Sequence, residues 1–230
     1  MPFQRPYVLL SFAASLDGYI DDASDQRLLL SNDEDFDRVD EVRASCDAIL
    51  VGATTVRRDN PRLLVRSAER RAARVADDLT ESPIKVVLSS SGDLDPEAAF
   101  FTAGAVDKVV YCVGDGVGLA KSRLGTVADV VDAGDPLDLE LVLDDLYERG
   151  VRRLMVEGGG TMHTQFLAAG LADEIHAVIA PFFVGDPTAP RFVNAGAFPH
   201  GPSNRMALAE TRQIGDVVLL RYELGKSTVR

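Results

Sequence analysis

The sequence predicts an α/β fold with a mostly parallel central sheet, helices on both faces and an antiparallel hairpin at its C-terminal end. Three observations predict it. Apolar runs of strand length recur through the first two thirds with helical or turn segments between them. The last third holds strand-like runs with no helical repeat between them, and Gly215-Asp216 stands as a two-residue turn between the final two.

In chain order, residues 7–14 form the first apolar run. Ser31 and Glu34 then have the spacing of a capping box, which predicts a helix through about Ala44. Residues 48–51, 85–88, 108–113 and 152–156 are further buried strands, and residues 139–147 carry an amphipathic helical pattern. Residues 66–81 hold Arg66, Arg70, Arg71 and Arg74 among alanines and acidic residues, the composition of a solvated helix or loop. Residues 174–180, 205–212 and 217–223 close the fold as strands.

Twenty-four Lys and Arg face 36 Asp and Glu, a formal charge of −12, which argues against nucleic acid or an anionic membrane as a general partner. An anionic ligand therefore needs a local cationic pocket. Cys46 and Cys112 form no C-x-x-C pair, which fits a reducing cytoplasm and neither a disulfide framework nor a zinc site. His163, His176 and His200 lack metal-ligand spacing, so no metal is expected. The first residues lack an apolar signal core, and no run approaches the roughly 20 apolar residues that cross a bilayer.

Two stretches carry candidate chemistry. Val156-Glu157-Gly158-Gly159-Gly160-Thr161 follows a predicted strand and enters the helical pattern of residues 166–171; glycines there let a ligand approach the backbone, and N–H groups of a new helix can hold phosphate. The same glycines also suit a simple tight connection. Residues 49–66 begin as a buried strand and then present Thr54, Thr55, Asp59, Pro61 and several arginines, suited to a pocket at a strand's carboxyl end or to ordinary loop chemistry at Asp59-Asn60-Pro61. Gly114, Gly116 and Gly118 miss the G-x-G-x-x-G spacing because Leu119 holds the third glycine's place, so they are read as a turn opening a helix.

Together with Ala13-Ala14-Ser15-Leu16-Asp17-Gly18 near the start and Ala180-Pro181 downstream, these stretches resemble, in order and spacing, the reductase domain of bacterial riboflavin biosynthesis, the RibD C-terminal family. The resemblance spans essentially the whole chain. It implies a dihydrofolate-reductase-like fold, a single reductase domain over residues 1–230, and no zinc-binding deaminase domain of the kind that precedes it in bifunctional relatives. The implied reaction uses NADPH to reduce a phosphorylated ribosylamino-pyrimidine at the sugar C1′, giving a ribityl chain, in a cytoplasmic homodimer. By motif position, the resemblance assigns Ala13, Leu28, Thr55, Asp59, Ser90, Gly159, Gly160 and Thr161 to the cofactor, and Gln26, Arg43, Leu63, Arg66 and Glu157 to the substrate. Asp59 and Glu157 are the carboxylates expected to manage the proton. Two arginines can hold the substrate phosphate despite the acidic total.

The chain departs from the bifunctional pattern at Ser11, where a lysine is usual, and at Gln26 and Leu28, where a Ser-x-Trp pair is usual. A serine cannot replace a cationic donor, and leucine lacks the aromatic plane and indole N–H. These changes leave open a reductase of another pterin- or pyrimidine-like compound, or a non-catalytic NADPH-binding protein.

Overall fold

In the computed structural model, which describes residues 4–24, 26 and 28–225, the elements run β1 (Tyr7–Ser15), α1 (Asp33–Ala44), β2 (Ala48–Gly52), α2 (Ala53–Asp59), α3 (Ala68–Ala76), β3 (Ile84–Ser89), α4 (Ala99–Thr102), β4 (Lys108–Cys112) and α5 (Gly116–Leu124). They continue with β5 (Asp129–Asp132), α6 (Leu139–Glu148), β6 (Arg153–Gly158), α7 (Gly160–Ala168), β7 (Glu174–Ala180), β8 (Ala207–Ile214) and β9 (Val217–Glu223). The chain forms two compact units: one takes the chain up to Tyr7 with Asp40–Met155, the other Val8–Val39 with everything from Val156.

The first unit orders its strands β5-β4-β3-β2, all parallel. Ile49, Leu50, Val86, Val87 and Val110 are wholly buried, which is why these strands read as continuous apolar runs rather than alternating ones. The short edge strand β5 escaped that signal, having only Val130 and Val131 between two aspartates. Lys85 interrupts the apolar run of β3 yet is fully buried, because Nζ donates to the Phe100 and Ala103 carbonyls at 3.0 and 2.6 Å, at the end of α4. Burial, with Lys108 nearby, pulls its ammonium down to about 8.

The arginine-rich segment is a helix, as expected, but one of its arginines is not solvated. It forms α3, and Arg74 is buried rather than solvated, donating to the carbonyls of Ala44, Cys46 and Thr80 at 2.8 Å each. Bonds to three carbonyls satisfy the donors of this cation where it is buried.

The second unit orders β1-β7-β9-β8. Strand β1 is parallel to β7, with Leu10 opposite Ile175 and Ala13 opposite Val178, while β7–β9 and β9–β8 are antiparallel. The predicted hairpin turns at Gly215-Asp216, where Gly215 adopts φ +59. Val178, Ile214, Val217 and Leu219 form its core, with Ala13 packed against them. Helix α1 is capped by Asn32 rather than Ser31: the Asp35 N–H donates to Asn32 Oδ1 at 3.0 Å, and Ser31 Oγ instead donates to the Asp35 carboxylate at 2.5 Å. Helix α7 begins at Gly160, earlier than the apolar periodicity indicated.

Both cysteines are buried thiols outside any disulfide. Among the described residues no cluster could hold a metal ion, and no helix is long and apolar enough to cross a membrane.

Candidate active site

In the first unit, β2 passes directly into α2 with Gly52 at the junction. Thr55 and Asp59 stand one turn apart on the same side of this helix, Thr55 half-buried and Asp59 exposed. Asp59 is the last helical residue, where the helix dipole disfavours an anion by about 0.3–1 kcal/mol. Its place is thus not explained by helix stability. Asn60 ends the helix in the left-handed conformation, φ 42, and its Oδ1 accepts the Ala99 N–H at 2.6 Å.

After Pro61, Leu63 also takes a positive φ of 48 while its side chain is 3% exposed. A leucine accepts this backbone only where burial of its side chain holds it there. The loop then becomes a strap over residues 64–67. Arg43 lies beside it, with Nη1 donating to the Leu64 carbonyl at 3.4 Å, so this predicted phosphate ligand also has a backbone to hold. Arg66 is 58% exposed.

Ser90 lies exposed directly past β3. The turn it begins packs on the turn of Gly114 and Gly116: a side chain at Gly116 would come within 2.6 Å of the Ser90 carbonyl oxygen, and one at Gly92 within 2.3 Å of the Gly116 carbonyl oxygen. Gly114 and Gly116 open a helix, α5, as expected, and the missing side chains of Gly92 and Gly116 let two backbones meet.

In the second unit, Glu157 is half-buried at the end of β6, Gly158 has φ +126, and Gly159 caps α7 with no side-chain hydrogen bond. Thr161 is exposed in the first turn. The three glycines are not equivalent. A Cβ on Gly160 would lie 2.1 Å from the Arg191 carbonyl oxygen, so packing within the chain by itself requires glycine here.

Residues 182–192, which carried no recognisable motif, join the other motifs of this unit. Asp17 accepts from Ser15 Oγ at 2.5 Å, Val184 N–H at 3.1 Å and Gly185 N–H at 2.8 Å, and these bonds hold its carboxyl below its ordinary range. Leu16 N–H donates to the Phe182 carbonyl, and Arg191 reaches both the Asp17 carbonyl and the Tyr19 hydroxyl. The 13–18 motif, the glycine turn and the segment after Ala180-Pro181 are thereby tied together. His163 lies beneath them, fully buried, with Nδ1 3.3 Å from the Phe192 carbonyl and its ring 5.4 Å from that of Phe12. Burial pushes its imidazole down to about 4, so it is neutral near pH 7.

Leu28 is half-buried and its N–H donates to Asp21; Gln26 is exposed in a local turn with Ser24. Ser11 is 6% exposed and pairs in register with His176. His176 sits in a buried polar chain: Arg38 Nη1 lies 3.3 Å from Nδ1, and Nε2 lies 2.9 Å from Glu174, which also accepts from Arg221. Because arginine can only donate, Nδ1 accepts and Nε2 carries the proton toward Glu174. No local pattern pointed to this chain.

The RibD C-terminal domain family matches residues 6–220. The 2,5-diamino-6-ribosylamino-4(3H)-pyrimidinone 5′-phosphate reductase of Archaeoglobus fulgidus is 39% identical over 84% of this chain and 89% of its own length. The protein of the same name from Methanothermobacter thermautotrophicus is 33% identical over 95% of this chain and 98% of its own. Among solved structures, a pyrimidine reductase-like protein from Corynebacterium diphtheriae superposes with a TM-score of 0.79 at 21% identity, covering 95% of this chain and 92% of that one, a likeness of fold.

Proposed function

We propose, from the premise that this chain belongs to the RibD C-terminal domain family, that it is an NADPH-dependent reductase of 2,5-diamino-6-ribosylamino-4(3H)-pyrimidinone 5′-phosphate in riboflavin biosynthesis. The carrying observation is that the Archaeoglobus and Methanothermobacter relatives named for that reaction align over nearly their whole length. Their name favours the undeaminated pyrimidinone over its deaminated counterpart as substrate.

The residues present fit a nicotinamide dinucleotide. Gly158 and Gly159 put no side chain over the start of α7, and the first turn of that helix has no side-chain cap, which suits its amides to an anion. In the other unit, Thr55 and the exposed Ser90 present hydroxyls past β2 and β3. NADPH, when bound, supplies the hydride. In this reading, Ala13, Leu28, Thr55, Ser90, Gly159, Gly160 and Thr161 hold the cofactor, and Gln26, Arg43, Leu63, Arg66 and Glu157 hold the substrate. Asp59 contacts both and carries the proton that the ribose ring oxygen takes as the sugar opens.

The test is loss of NADPH absorbance when the purified protein meets the phosphorylated diamino-pyrimidinone, with the deaminated compound in parallel. Turnover of the first at the higher kcat/KM is expected. NADPH binding without oxidation by either compound leaves a binding protein and sinks the enzyme reading. The Ser90 hydroxyl, assigned beside the adenosine ribose, is expected to favour NADPH over NADH modestly, and equal affinities by calorimetry would remove that assignment.

The same reading includes a homodimer through the C-terminal strands. Strand β8 is exposed along most of its length, with Leu208 56% exposed, a sheet edge that a second copy can cover. Light scattering at micromolar concentration is expected to give twice the chain mass, and a monomer mass overturns it.

A further inference from the structure

The strap over residues 64–67 has no ladder partner, yet its backbone polar groups are satisfied almost entirely by side chains. The Leu64 carbonyl accepts from Arg43, the Val65 N–H donates to Ser82 Oγ at 3.0 Å, and the Val65 and Arg66 carbonyls accept from Arg71 Nη1 at 3.1 and 2.6 Å. The Arg66 and Ser67 N–H groups donate to the two carboxylate oxygens of Asp40 at 2.5 and 3.1 Å. Loops ordinarily leave such groups to water, and a strap fixed in this way is pre-organised.

Asp40 is the centre of this arrangement. It projects from α1 with its side chain 2% exposed, takes Arg70 Nη1 at 3.0 Å besides the two amides, and has Arg66 Nε at 3.7 Å. Burial raises its carboxyl, but the bonds from Arg66, Ser67 and Arg70 outweigh burial and hold it below its ordinary value, so it is an anion at neutral pH. One buried charge therefore fixes the Cα of Arg66, through its amide, and attracts the guanidinium from its Nε side at 3.7 Å, an ion pair beyond hydrogen-bond reach. The Nη1–Nη2 edge lies across the planar group from Nε, and the side chain as a whole is 58% exposed.

We infer that Asp40 is a positioning residue for substrate recognition, holding Arg66 so that its guanidinium meets the substrate's 5′-phosphate without first being ordered. This inference rests on the reductase reading proposed above. It differs from a stabilising role alone, because Asp40 then acts on the phosphate through Arg66 and on nothing else in the substrate.

The experiment compares wild type, Asp40→Asn, Arg66→Ala and the double variant, using the phosphorylated pyrimidine and its dephosphorylated riboside. Asp40→Asn is expected to raise KM for the phosphorylated compound at least about fivefold and to leave the riboside's kcat/KM within twofold; in the Arg66→Ala background it adds less than about twofold. Equal losses on both compounds, or a full additional loss without Arg66, overturn the inference. A second measurement needs no variant: in 15N-labelled wild-type protein, the Arg66 Nε–H is expected to be as ordered as the backbone before substrate is added, and an order parameter below about 0.6 overturns the inference. Failure of the wild type to oxidise NADPH with the pyrimidine strikes the reductase reading instead, while the Nε–H measurement still decides whether Arg66 is held in place.

Discussion

Asp59→Asn is expected to slow hydride transfer at least about tenfold, roughly 1.4 kcal/mol of transition-state stabilisation, while changing NADPH affinity by less. The substitution keeps the shape of the side chain and removes its negative charge and its ability to take up and release a carboxyl proton. Its position makes the comparison clean. Asp59 is exposed at the last residue of α2, so the asparagine variant fills the same space without disturbing packed neighbours. Single-turnover reduction on folded variant protein reads the effect. A wild-type rate would remove the catalytic assignment, and a marked fall in stability would show that the carboxylate serves the fold.

Gly160→Ala is expected to have the largest effect on stability of any single methyl addition in the glycine-rich turn. Its Cβ would lie 2.1 Å from the Arg191 carbonyl oxygen and 3.3 Å from the carbonyl carbon, and the neighbour is backbone that is itself tied to the 17–19 turn. Either α7 or residues 190–192 must move. We expect a loss of at least about 3 kcal/mol, which for a chain of this length lowers Tm by roughly 6–12 °C. Gly118→Ala is the control, because a Cβ there meets nothing within 4 Å and lies inside α5, where alanine is the better helix former by up to about 1 kcal/mol. Thermal unfolding of the two variants separates a close backbone contact from a general intolerance of glycine replacement. A Gly160→Ala protein that melts with the wild type would mean that the Arg191 carbonyl is not held where the structure puts it.

By itself the sequence determined the strands other than β5, the closing hairpin and the segments that carry the family motifs. Residues buried on both faces of a parallel sheet are nearly all apolar, so 48–51, 85–88 and 108–113 announce themselves despite the buried Lys85, and Gly215-Asp216 is a turn that the chain encodes locally. The family motifs were legible for the same reason: each is a contiguous run whose chemistry sits in neighbouring residues. Tertiary structure decided which charged and small residues those runs depend on. Nothing local to Asp40 distinguishes it from the exposed acids beside it on α1 until a segment 26 residues later returns to place two amides and Arg70 on its carboxylate. Arg74 reads as one more solvated cation until the carbonyls of Ala44 and Cys46 reach it, and nothing local shows that Gly160 must also make way for the Arg191 carbonyl. Local pattern reports which face of an element is buried; a bond between side chain and distant backbone exists only once the chain has come back on itself, and the cost of burying an unpaired charge or a clashing methyl then fixes the residue.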